Sequence, residues 1–162
     1  MKLILCFLVM LTSVKECEQK QPNASTSAET VSEMPASEEA QSDRVITYEA
    51  NTRGFYEKIW MDGNTLKFTN DRQGLEVQSK ELSKTQKADI SKLLNSVELK
   101  TLSQLESSSK AHQYDGAAMA TVEITSGKSS YKTKTFDHGN PPGQLKPLVE
   151  KLLSLKAMMV KD

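Results

Sequence analysis

The tightest constraint on what this chain can fold into is the stretch around Asp62-Gly63. Residues 55–61 divide into a Phe55/Glu57/Ile59/Met61 set and a Tyr56/Lys58/Trp60 set, and residues 64–70 follow with Leu66 and Phe68 on one side. This is the period of a strand, whose successive side chains point to opposite faces. Asp-Gly between two such runs is the strongest short-range hairpin signal, because the tight turn needs a positive φ that glycine adopts without a Cβ clash. The two runs therefore form an antiparallel pair.

The same logic extends in both directions. In residues 45–50, Ile46, Tyr48 and Ala50 share one side and Thr47 and Glu49 the other, so this run is a half-buried strand. Asp71-Arg72-Gln73-Gly74 is a turn that leads into a fourth strand, expected at residues 75–78. Ser83-Lys84-Thr85-Gln86 has the form of a capping box, and Ile90, Leu93, Leu94 and Val97 behind it make one helical stripe. Residues 98–116 read as the longest irregular region. Ala118, Ala120, Val122 and Ile124 mark a fifth strand, Ser126-Gly127-Lys128 a turn, and residues 129–136 a sixth strand. A loop at residues 137–143 precedes a last stripe of Leu145, Leu148, Val149, Leu152 and Leu155, with Pro147 in the first helical turn, where its missing N–H costs little. The order ββββ-α-ββ-α predicts an α+β fold over residues 44–162, a two-layer sandwich with an antiparallel sheet.

The preceding 43 residues read differently. Lys2 and an apolar run, residues 3–11, outline a signal peptide over residues 1–16. Nine residues fall short of the roughly 20 that a helix needs to span a bilayer. Cys17 stands where a lipoprotein leader places its lipidated cysteine, although Lys15-Glu16 is a poor match to the small residues usual there. Residues 18–43 carry six acids against Lys20 and no aromatic side chain, so they read as a disordered tether reaching about 25–30 Å. Localisation is then the cell envelope, with the outer membrane favoured, or secretion if Cys17 is not lipidated.

Charge and composition remove several function classes. Lys and Arg together number 21, as do Asp and Glu, which argues against a nucleic-acid binder. Two cysteines near the start exclude a disulfide scaffold and a Cys-rich zinc module. No phosphate-binding glycine loop or nucleophile elbow is present, and no cofactor is expected. The only histidines, His112 and His138, each lie near a carboxylate, Asp115 and Asp137. If their loops converged, the four would make a metal site of a small hydrolase. Tyr56 and Trp60, on one side of the second strand, are the candidate binding surface, since such residues on an open sheet face favour recognition.

The segments Ile46-Thr47-Tyr48, Arg53-Gly54-Phe55-Tyr56, Ile59-Trp60-Met61-Asp62-Gly63 and Pro141-Pro142-Gly143-Gln144-Leu145 together resemble a group of small Bacteroidetes-type lipoproteins with a compact α+β domain. The resemblance covers about residues 45–155. It implies a lipid-anchored envelope protein, and no site residues, because that group has no assigned activity. The expected function is a non-enzymatic binding or accessory module whose partner is an envelope protein or glycan.

Overall fold

The computed structural model describes residues 44–161. The expected leader, Cys17 and the tether lie outside these residues. The fold is α+β: an antiparallel sheet of seven strands and two main helices. In chain order the strands are β1 (Arg44–Thr52), β2 (Phe55–Asp62), β3 (Thr65–Thr69), β4 (Gln78–Glu81), β5 (Met119–Ser126), β6 (Ser129–Lys132) and β7 (Phe136–Asp137). Helix α1 (Lys84–Asn95) follows β4, and α2 (Lys146–Lys161) closes the chain. The strands lie side by side as β4-β3-β2-β1-β5-β6, and β7 also pairs with β5.

Local chemistry accounts for most of these elements. Asp62 pairs with Thr65 and Ser126 with Ser129, so each hairpin loop has two residues. Gly63 and Gly127 lead those loops at φ 58°, the place where a II′ turn puts its glycine. At the start of α1 the Ser83 hydroxyl accepts the Gln86 N–H, and the Gln86 side chain accepts the Ser83 N–H, which completes the capping box.

The core follows strand parity. Ile46, Tyr48 and Ala50 of β1, Ile59 and Met61 of β2, Leu66 and Phe68 of β3, and Ala120, Val122 and Ile124 of β5 are all buried. They form one cluster with Ile90 and Leu94 of α1 and Leu148, Val149, Leu152, Leu155 and Met159 of α2. Each such aliphatic side chain contributes roughly 1.5–3 kcal/mol on burial. Residues of the other parity, including Thr47, Glu49, Tyr56, Lys58, Trp60 and Thr121, are half-buried.

Three expectations need correction. The fourth strand begins at Gln78, and Leu75 and Val77 are 80% and 44% exposed. The Asp71 carboxylate accepts the N–H groups of Gln73 (2.9 Å) and Leu75 (2.7 Å), so residues 71–75 are folded on themselves and cannot join the ladder. The region 98–116 holds two 3-10 turns, Leu99–Gln104 and Ala111–Tyr114. Finally, the sixth strand is two strands. Glu123 pairs with Lys132 but Ala120 with Phe136, so one extra residue is inserted: a β-bulge. At the bulge, the Thr133 hydroxyl accepts the Val122 N–H (3.0 Å), and the Thr133 N–H reaches the Val122 carbonyl (2.9 Å). Tyr131 lies opposite Ile124, on the core side. Unbroken alternation from there would turn Phe136 away from the core, and the bulge turns it inward.

One charged group interrupts the core face. Glu57 is buried, its Oε2 is 2.7 Å from Lys156 Nζ of α2, and its Oε1 has no hydrogen-bond partner. Replacing Glu57 alone with Ala should cost about 1–3 kcal/mol by stranding the Lys156 ammonium beside the Phe68 ring. The double variant Glu57→Met/Lys156→Met should match or exceed the native chain in urea unfolding, since apolar packing replaces a desolvated pair. A double variant that unfolds in less urea than the native chain would show that the pair stabilises the fold more than apolar packing does.

Candidate functional site

Tyr56 and Trp60 occupy the same face of β2, opposite the core. Neighbouring strands set their surroundings through register: Trp60 lies between Thr47 of β1 and Lys67 of β3, and Tyr56 lies opposite Asn51. Both rings carry a cation. Lys58 Nζ is 5.4 Å from the Trp60 ring centroid, and the Arg72 guanidinium is 5.1 Å from that of Tyr56. Such contacts hold the rings in place and give each an apolar body with a charged margin. Partial burial, then Glu49 and Asp71, push the Tyr56 phenol above its ordinary value against the pull of Arg72. It remains a neutral hydroxyl at pH 7. No strand or helix among the described residues buries this face.

The four residues of the alternative metal site do not converge: His112 pairs with Asp137, His138 turns to Tyr48, and Asp115 stands apart. His112 Nδ1 is 2.6 Å from Asp137 Oδ1. His138 Nδ1 is instead 2.7 Å from the Tyr48 hydroxyl, and its ring lies 5.3 Å from Phe55. Asp115 is exposed on a left-handed turn residue (φ 57°) after the 3-10 turn. Strand parity is the cause. Phe136 and His138 lie toward Tyr48 on the core side, so Asp137 between them points the other way, in register with Met119. Among the described residues no group of three or more His, Cys, Asp or Glu gathers to hold a metal. The alternative four-residue site does not form among the described residues.

Asp137 instead acts as the anchor of the 105–116 loop. Its carboxylate accepts from the Ser109 hydroxyl, the Ala111 N–H (2.9 Å), the His112 N–H (2.7 Å) and the His112 ring. Burial alone would raise this carboxyl, but these bonds outweigh it and hold the group far below the usual carboxylate range. An ionised acceptor makes Nδ1 the donor of this bond and leaves Nε2 outside it. The ring is only 9% exposed and lines a cleft of about 300 Å³ with Glu106, Ser107, Lys110, Gln113 and Lys134. Ser109 and the cleft lysines were not legible as site residues. The run Ser107-Ser108-Ser109 reads as plain loop, and its bond to Asp137 spans 28 residues.

On the other side of the sheet, the Tyr48 hydroxyl accepts the Gly139 N–H (3.2 Å) and shares a hydrogen bond with His138 Nδ1 (2.7 Å). This pair joins the 137–143 loop to the core. No protein-family model matches the chain, and no curated protein is significantly similar to it. Among the described residues no helix is long and apolar enough to cross a membrane.

Proposed function

We propose that this protein is an exported, lipid-anchored envelope protein whose domain is a non-enzymatic binding module for an envelope protein or glycan. The observation that carries this reading is the pair Tyr56 and Trp60, held by Arg72 and Lys58 on a sheet face that no described helix covers. The architecture is a two-layer sandwich in this reading, supported by the single core that both helices share with one parity of the strands. Helices on one side leave the other free for recognition, and half-buried aromatic side chains supply much of the binding energy at such surfaces. The apolar run before Cys17 supports export and anchoring.

In membranes from cells carrying the native chain, crosslinking should capture a partner, or cell-wall glycan fragments should bind. Trp60→Ala and Tyr56→Ala should each weaken that binding about thirtyfold or more, with unchanged circular dichroism. Folded variants that keep every partner would remove the surface from consideration. The anchor is checked alongside by intact mass: a native chain beginning at an acylated Cys17, and a Cys17→Ser chain without lipid. A native mass without acyl chains would move the protein to the secreted class.

A further inference from the structure

The cleft beside the 105–113 loop contains a group that the proposed binding face does not use. His112 is nine-tenths buried, its Nδ1 is committed to Asp137, and its Nε2 makes no hydrogen bond within the described residues. A buried imidazole held by a carboxylate with its other nitrogen open to a cleft is poised to contact a ligand. Two ammonium groups share that cleft. Lys134 and Lys110 both pair with the Glu106 carboxylate, through Oε1 and through Oε2 at 3.7 Å respectively. Glu106 thus stands between two cations, where an external oxyanion would stand. The two lysines hold the Glu106 carboxyl below its ordinary value, Lys134 first, so Glu106 is ionised.

We propose that this cleft binds a phosphoryl group, with His112 Nε2, Lys110 and Lys134 as the contacting groups and Glu106 as the internal anion that it displaces. The chemistry selects this class. A metal ion is disfavoured by the two ammonium groups. A ligand carboxylate offers no advantage over Glu106, which is a carboxylate already in place. A phosphate monoester carries up to two charges on three free oxygens, enough to reach both lysines and the imidazole together. A phosphate monoester can present either a proton or an oxygen acceptor to Nε2. Sulfate carries no proton near neutral pH and can only accept. The 550 Å³ hollow at residues 68–78 offers no comparable set: two carboxylates, Asp71 and Glu76, line it, and no lysine, arginine or histidine does.

The phosphoryl group has two possible sources, a free phosphate or the headgroup of a lipid such as phosphatidate. Inorganic phosphate, sulfate, and phosphatidylcholine vesicles with and without phosphatidate would be titrated into the full chain, followed by ¹H–¹⁵N spectra and by co-sedimentation. Phosphate should saturate the His112, Lys134 and Ser107 signals and bind at least about tenfold tighter than sulfate. Saturation by phosphate identifies the free anion as sufficient; binding to phosphatidate vesicles alone assigns the site to a headgroup. His112→Asn preserves a donor toward Asp137 while removing Nε2, and should weaken binding about tenfold, as should Lys134→Met. Glu106→Gln should tighten binding by a similar factor, because the competing carboxylate is gone. Neither Lys134→Met nor Glu106→Gln touches the Asp137 hydrogen bonds, so both report even if His112→Asn fails to fold. Failure of phosphate and phosphatidate alike to bind, equal affinity for sulfate, or weaker binding in Glu106→Gln would overturn the assignment.

Discussion

Asp137→Ala should release the 105–116 loop and destabilise the domain by about 3–5 kcal/mol. Four donors converge on this one carboxylate, and two of them are main-chain N–H groups, of Ala111 and His112, with no alternative acceptor in a 3-10 turn of four residues. Removing the acceptor leaves these groups to be desolvated without a partner, or obliges the loop to open so that water can reach them. The consequence for pH has a definite sign. The folded-state carboxyl is depressed below its unfolded value of about 3.9, so its contribution is complete above that value. It is lost as the pH falls from about 4 toward the lower, folded-state value. Asp137→Asn lacks the charge and should unfold in less urea at pH 7, yet change less in stability between pH 5 and pH 3. Urea titrations across that range, followed by circular dichroism, test both points together. An Asn variant with the native midpoint and the native acid slope would rule out the anchoring role.

Tyr48→Ala should cost a similar amount, about 3–5 kcal/mol, for a different reason. Its ring is fully buried against Phe136, with centroids 6.3 Å apart, so truncation leaves a cavity in the middle of the sheet. Tyr48→Phe separates the ring from its hydroxyl. It should cost about 1–3 kcal/mol, because His138 Nδ1 and the Gly139 N–H lose their shared partner. Burial pushes the Tyr48 phenol up to about 12; the Gly139 N–H opposes this, and the charge on Glu57 adds to it. The neutral phenol is therefore favoured by folding. Its contribution is complete below pH 10 and is lost as the pH rises from 10 through about 12. An ultraviolet titration should show one of the four tyrosines ionising late, together with unfolding, and Tyr48→Phe should abolish that step. A native chain whose phenols all ionise before unfolding would contradict the burial argument.

Much of the fold was legible without coordinates, and the reason is that its signals are local. Gly63 and Gly127 mark their hairpins because a two-residue loop with positive φ selects glycine from steric terms within the loop itself. The Ser83/Gln86 capping box, Pro147 in the first turn of α2, and the alternation of Ile46, Tyr48 and Ala50 all depend on neighbours within a few positions. Tyr56 and Trp60 could be placed on one face by parity alone.

What stayed hidden was decided by partners far along the chain. Leu75 and Val77 have the composition of a strand, yet the Asp71 carboxylate holds that loop out of the sheet. Thr133 adds the residue that turns Phe136 into the core, and no periodicity in residues 129–136 announces it. Strand alternation separates the neighbours Asp137 and His138, and that single insertion decides which goes where: Asp137 toward His112 on one side, His138 with Tyr48 on the other. The hairpin turns, the caps and the apolar face of most strands and both helices can be read from the chain alone, because steric and hydrogen-bonding terms within a few residues settle them. Which histidine meets which partner is set by long-range pairing. A bulge and the carboxylate behind it depend on hydrogen bonds that exist once distant strands have paired.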